Sequence, residues 1–137
     1  MPILNKAANC PCGGPSYATC CGPCIDGDAI APSAAKLMRS RYSAYALRNE
    51  AYLRATWHPS TCPPEAIVSE AENLRWLGLE VRSNAAPATH PDQDSVEFVA
   101  RYKINGRAQR LHEVSRFVRE GEGSGKRWFY LDGSFPK

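Results

Sequence analysis

Cys10-Pro11-Cys12, a gap of seven residues, and Cys20-Cys21 place four thiols in two close pairs on either side of one short loop. That pattern suits zinc, which takes four soft donors at tetrahedral corners, each thiolate sulfur about 2.3 Å from the ion. Gly13-Gly14-Pro15 supplies the tight turn between the pairs, and Gly22-Pro23 ends the unit. We therefore expect Zn2+ on Cys10, Cys12, Cys20 and Cys21, with Cys24 as the alternative to Cys21 for the fourth position. Cys62 stands alone before a proline and reads as an inert or surface thiol. The competing use of cysteines is a disulfide framework, which belongs to oxidising compartments. The opening Met1-Pro2-Ile3-Leu4-Asn5-Lys6-Ala7 lacks the charged lead and apolar run of an export signal, so a cytoplasmic location with reduced thiols is expected.

The same segment argues for a metal on energetic grounds. From Asn5 to Pro32 its only bulky apolar side chains are Tyr17, Ile25 and Ile30. Ordering a backbone costs about 1–2 kcal/mol per residue, more than three such side chains can offset, so something else must hold the segment.

Titratable residues that could do acid–base chemistry are His58, His112, Glu113 and Asp132. A general base needs a pKa near the working pH and a second group across the substrate, so none is assigned a catalytic role from its type alone. His58 precedes Pro59 and suits a helix end or corner, and Asp132 before Gly133 suits a turn at a strand end. No glycine-rich phosphate loop, nucleophile elbow or His-Glu-x-x-His stretch is present. The net charge of +3 is small and patchy, which disfavours nucleic acid as the partner, and no apolar stretch has the length of a membrane span. The leading reading is a binding module for a small ligand or a protein partner; the alternative, an acid–base enzyme of isomerase, dehydratase or hydrolase type using Glu113 or His58, is what the family resemblance given below implies.

The elements that must position these residues follow from periodicity. At 137 residues the chain suits one domain and a short appendage, divided into residues 1–32 and 33–137. Ser33 is a good N-cap, and Ala34, Leu37, Met38, Tyr42, Tyr45 and Ala46 mark one apolar helix face. Asn49 makes a corner, and Tyr52, Leu53, Thr56 and Trp57 continue the helical spacing to His58-Pro59. Ala66, Ile67, Ala71, Leu74 and Leu77 predict a third helix ending at Gly78. Beyond it the period becomes two: strands are expected at Leu79–Arg82, Val96–Ile104, Gln109–Arg119 and Arg127–Asp132, with a polar loop over Asn84–Asp94 and a glycine-rich turn over Glu120–Lys126. Helices followed by an antiparallel meander give an α+β fold.

Asn105-Gly106 is a two-residue hairpin signal, because both residues tolerate positive φ. Ile104 then faces Arg107, and Tyr102, Ala100 and Phe98 face Gln109, Leu111 and Glu113. Glu113 and Ser115 fall on the apolar face, while His112, Val114 and Arg116 share a charge-paired outer face with Glu97, Val99 and Arg101. A carboxylate on the core side needs a partner, and Arg41, before Arg39, is the expected one, with Tyr42 or Trp128 close by.

Residues 10–22, Cys-Pro-Cys-Gly-Gly-Pro-Ser-Tyr-Ala-Thr-Cys-Cys-Gly, resemble the SEC-C motif, the small zinc knuckle best known from the tail of the SecA preprotein translocase. The loop between the pairs carries none of the lysines usual there. The remainder is similar to the YchJ family, through Leu37-Met38-Arg39-Ser40-Arg41-Tyr42-Ser43-Ala44-Tyr45, Thr56-Trp57-His58-Pro59, Trp76-Leu77-Gly78-Leu79, Phe98-Val99-Ala100-Arg101-Tyr102, Glu113-Val114-Ser115-Arg116-Phe117 and Trp128-Phe129-Tyr130-Leu131-Asp132-Gly133. The resemblance implies a cone of the nuclear-transport-factor-2-like (NTF2-like) kind, in which helices pack on a curved antiparallel sheet around a pocket. Arg41, Tyr42, Trp57, His58, Glu113, Ser115, Trp128 and Tyr130 are the residues expected to line that pocket.

Overall fold

Residues 10–13, 16–27, 29–68, 74–82, 91–123 and 126–135 are described in a computed structural model of the chain. A single 3-10 turn at Tyr17–Thr19 leads into a short helix α1, Gly22–Ile25, so Gly22-Pro23 opens a helix where the sequence suggested the end of a unit. Proline fits this first turn because it needs no amide donor there. The principal helix α2 spans Ala34–Ala46, and the Ser33 hydroxyl caps it by accepting from the Lys36 amide at 3.1 Å. Arg48, at φ 58°, breaks the helical path, and Asn49 starts α3, Glu50–Ala55, by accepting from the Tyr52 amide at 3.0 Å. The corner near Asn49 is where spacing placed it.

The expected second and third helices need correction. Helix α3 stops at Ala55, because Thr56 to His58 pair with β4 instead: the Tyr130 amide donates to the Thr56 carbonyl and the His58 amide donates to the Tyr130 carbonyl, each at 2.8 Å. The third helix is not formed at either described end. Residue 66 is irregular, 67 and 68 are bends, and Leu74–Val81 form strand β1, while 69–73 lie outside the described residues. Short apolar runs fit both periods, and the sheet decides between them: Trp76 pairs opposite Tyr102 and turns its ring onto Tyr42 and Tyr45. Gly78 sits at the bulge that follows, not at a helix end.

The sheet has four antiparallel strands in the order β1-β2-β3-β4, with β2 at Gln93–Ile104, β3 at Arg107–Glu120 and β4 at Arg127–Ser134. Asn105 and Gly106 both have positive φ, and the hairpin register is the expected one, Ile104 to Arg107 through Phe98 to Glu113. Bulges interrupt the ladders at Trp76/Gly78 and Arg116/Phe117, bending the edge strands. Strand β4 runs on through Asp132-Gly133, so these are not a terminal turn. Gly14-Pro15 and residues 84–90 of the expected loop lie outside the described residues.

Helix α2 packs on one sheet face, burying Leu37, Met38 and Tyr42 against Val96, Phe98, Ala100, Phe117 and Trp128. The same cluster continues into Cys10, Cys12, Cys21 and Cys24. The compositional boundary after residue 32 therefore does not interrupt the core.

Glu50 fixes the chain after α3. Its carboxylate accepts from the Ile67 and Val68 amides at 3.0 and 2.9 Å and from Arg54 at 3.0 Å, and these bonds, the two amides first, lower its pKa from 4.5. A depressed carboxylate contributes stability above its unfolded pKa and loses it as pH falls through the folded value. Glu50→Gln is expected to lower the denaturation midpoint at neutral pH, with the gap from wild type closing as the pH drops below about 4. A gap unchanged down to acid would contradict this clamp.

Candidate functional site

The four cysteines of the two pairs converge. Gly13, at φ 99°, turns the chain so that its amide closes onto the Cys10 carbonyl at 2.9 Å. The 3-10 turn brings the Cys20 amide to the Tyr17 carbonyl at 3.2 Å, and α1 then fixes Cys21 through the Ile25 amide at 3.0 Å. Gly22 has no room for a side chain, since a Cβ would stand 2.7 Å from the Tyr17 carbonyl oxygen. The Sγ atoms of Cys10, Cys12, Cys20 and Cys21 lie within 4.8 Å of one another. Cys12 is 3.5 Å from Cys20 and 3.6 Å from Cys21, and Cys20 is 3.9 Å from Cys21. A tetrahedral thiolate site with bonds of about 2.3 Å has sulfur–sulfur edges of about 3.8 Å, whereas a disulfide needs about 2.05 Å. None of the six cysteines, all of them described, is in a disulfide, and the donor set and its spacing fit a metal ion. Cys24, buried in α1, is outside the group, and Cys62 lies apart beside Arg54.

Helix α2 carries this cluster on one face. Lys36 Nζ is 3.3 Å from Cys20 Sγ, Arg39 donates to the Cys12 carbonyl at 3.4 Å, and Ser43 Oγ lies 3.4 Å from Cys10 Sγ. With the thiols protonated, hydrogen bonding with Cys12 and then burial raise the Cys21 pKa, and burial leads the rise at Cys20 and Cys24. Burial pulls Lys36 down, but hydrogen bonding with Cys20 and the charges of Cys20, Cys21 and Cys24 outweigh it, and its pKa is raised. Crowded thiols beside a retained cation form an environment in which a divalent ion can replace the protons.

The opposite face of α2 borders a cavity of about 200 Å³ between the helix and the sheet. Of the residues expected there, Arg41, Tyr42, Glu113, Ser115 and Tyr130 line it. Three do not. Trp57 stacks behind, with Arg41 5.1 Å and Tyr130 5.0 Å from its ring centre. His58 points outward to Ser60 and Glu120, and Trp128 packs one rung away under Arg119. Met38, Tyr45, Trp76, Phe98, Ala100 and Leu111 complete the wall, beyond the residues expected there from sequence. Trp76 was hidden by the helical reading of its segment, although its alternation with Leu74 was already a strand signal.

Glu113 is 8 % exposed, and its partner is not the expected one. Its Oε2 accepts from the Ser115 hydroxyl at 2.7 Å and the Tyr130 hydroxyl at 3.0 Å. Arg41 forms no ion pair with it; Nη1 instead donates to the Leu53 carbonyl at 2.9 Å and Thr56 Oγ1 at 2.8 Å, while the Tyr130 ring covers the guanidinium at 4.6 Å. Arg41 nonetheless feels Glu113 through space: burial lowers its pKa, and the surrounding tyrosines and Glu113 oppose that. Burial, then the Glu113 charge, raise the Tyr130 pKa, so its hydroxyl stays a donor. Among the described residues no hydrogen bond reaches Glu113 Oε1, and Glu113 is one of the residues lining the cavity. Gly133 makes this possible, because a Cβ there would overlap Glu113 Oε2.

A model of the YchJ middle NTF2-like domain matches residues 33–133. The chain belongs to the YchJ family. UPF0225 proteins of Ralstonia nicotianae and Cupriavidus metallidurans are 52 % and 55 % identical to it, over 97 % and 92 % of this chain and 95 % and 88 % of theirs. The crystal structure of a SEC-C motif containing protein from Psychrobacter arcticus superposes with a TM-score of 0.81 at 31 % identity, covering 98 % of this chain and 86 % of the other. The solution structure of a SEC-C motif containing protein from Rhodopseudomonas palustris gives 0.74 at 31 %, covering 95 % and 100 %. This YchJ-family fold is NTF2-like, with few helices on an open four-stranded sheet and the cysteine cluster ahead of it.

Gly133→Ala is expected to displace Glu113 and cost about 1–3 kcal/mol in urea denaturation, the range for overpacking. Gly78→Ala, whose Cβ meets nothing within 4 Å, serves as the control and should change stability far less. Equal effects of the two would contradict the packing described for Glu113.

Proposed function

We propose that this protein is a zinc-stabilised binding module: Cys10, Cys12, Cys20 and Cys21 hold a structural Zn2+, and the cavity beneath α2 takes a small ligand. The observation that carries this reading is the shared helix. Lys36, Arg39 and Ser43 of α2 meet the thiols, and Met38, Arg41, Tyr42 and Tyr45 of the same helix border the cavity. The ion would supply folding energy rather than chemistry, since all four positions are protein thiolates and none is left open for substrate. A cytoplasmic setting, where thiols stay reduced, goes with it, and no helix among the described residues is long and apolar enough to cross a membrane.

The ligand reading follows from the lining. The lining combines the rings of Tyr42, Tyr45 and Trp76 with the Glu113 carboxylate, which favours a small apolar or aromatic molecule bearing one hydrogen-bond donor. An acid–base enzyme is the second reading, favoured by the Glu113 carboxylate and Tyr130 hydroxyl sharing one cavity. His58 lies outside that cavity and is not the base.

Protein purified in reducing buffer should contain one zinc per chain by elemental analysis, and Cys12→Ser should lose it. A metal-free protein with an ordered cysteine segment would sink the zinc reading. For the cavity, phenol is expected to shift the Trp76 indole resonance saturably, and Glu113→Gln should weaken that binding roughly tenfold, the usual scale for losing a hydrogen bond to a charged group. No saturable shift, or equal binding by both proteins, would count against it.

A further inference from the structure

The outer face of the sheet is charge-paired over half its length along the strands only. At the end away from the Asn105-Gly106 turn, Arg116 meets Asp132 at 2.6 Å, His112 meets Glu97 at 2.7 Å, and Arg82 reaches Glu80 at 3.4 Å. Toward the Asn105-Gly106 turn the pattern reverses. Arg101 stands directly opposite Arg110, and Arg75 directly opposite Lys103. All four side chains are exposed, and none takes part in an ion pair among the described residues. Like charges directly opposite on neighbouring strands destabilise a sheet, so two such pairs side by side work against folding. Nothing in the protein's own described surface offsets them.

We propose that this patch docks an extended acidic segment of a partner protein. Strands lie about 4.8 Å apart and alternate residues about 6.7 Å apart, so the four cations form a small lattice whose long spacing matches alternate side chains of an extended peptide. Guanidinium groups at Arg75, Arg101 and Arg110 offer forked donors to carboxylates. Gly78 faces Arg101 and Ala108 faces Lys103, so the floor between the cations is low. Leu77, 52 % exposed beside Arg75, adds an apolar contact of the kind a protein partner uses. Single-stranded nucleic acid fits less well, because it needs exposed rings to stack its bases. The neighbouring aromatics, Trp76 and Tyr102, face the other side of the sheet and pack on each other. The patch is on the opposite face from the cavity, so this proposal stands apart from the small-ligand reading.

The test uses the full chain and a labelled Glu-Glu-Leu repeat peptide, with an oligothymidylate of similar length as competitor class. Fluorescence anisotropy should show salt-sensitive peptide binding that Arg101→Gln/Arg110→Gln weakens by about tenfold or more, while Arg127→Gln on β4 leaves it unchanged. The double variant should also melt no lower than wild type, since a repulsion has been removed. Absent peptide binding, binding indifferent to the double variant, or a lower melting temperature of that variant would overturn the proposal. Tighter binding of the oligothymidylate than of the peptide would overturn it in favour of a nucleic-acid surface.

Discussion

Arg41 carries its charge at a position 2 % exposed, and an ion withdrawn from water costs several kcal/mol unless the protein replaces its hydration. The replacement comes from three directions. The end of α3 brings the Leu53 carbonyl and the Thr56 hydroxyl, the chain after it brings the Trp57 ring, and β4 brings the Tyr130 ring. Serving that one guanidinium explains why α3 ends early and why residues 56–58 pair with β4. It also sets the cavity wall, because the Tyr130 that covers Arg41 is the residue whose hydroxyl holds Glu113. The buried charges are thus opposite in sign, linked through an aromatic ring, and each satisfied by neutral groups.

Helix α2 sits at the centre of a second constraint. The cysteine segment is too poor in apolar side chains to order itself, and it rests on α2 through Lys36, Arg39 and Ser43 while its thiols join the main core. Two and three residues along the same helix, other side chains face the cavity. A helix presents residues i, i+3 and i+7 on one side and their neighbours on the other, so a single element couples the thiol cluster to the cavity wall by geometry alone. The cysteine segment and α2 thus share contacts and one buried cluster.

Much of this was legible in the sequence because the signals were local and strong. The cysteine spacing, the Ser33 cap, the Asn49 corner and the Asn105-Gly106 register each rest on a few adjacent residues, and the register in turn placed Glu113 and Ser115 on the buried face. What the sequence hid depends on contacts between distant segments. Leu74 to Leu77 satisfied both a helical and a strand period, and only the exposed ladder of β2 and the rings of α2 choose between them. Arg41 looked like the natural partner of Glu113 by charge, yet the carbonyl and hydroxyl at the end of α3 claim it. Gly133 read as a turn residue because its reason for being glycine, the room it leaves for Glu113, lies across the ladder on β3.

If the metal-held knuckle and the cavity share α2 as one structural unit, loosening the first must loosen the helix that borders the second. Hydrogen exchange of the intact protein before and after treatment with a zinc chelator tests this most directly. Removing the metal is expected to speed exchange of the α2 amides from Met38 to Ala46, while the paired amides of β2 and β3 keep most of their protection. Metal loss confirmed by elemental analysis, with α2 exchange unchanged, would contradict a shared unit.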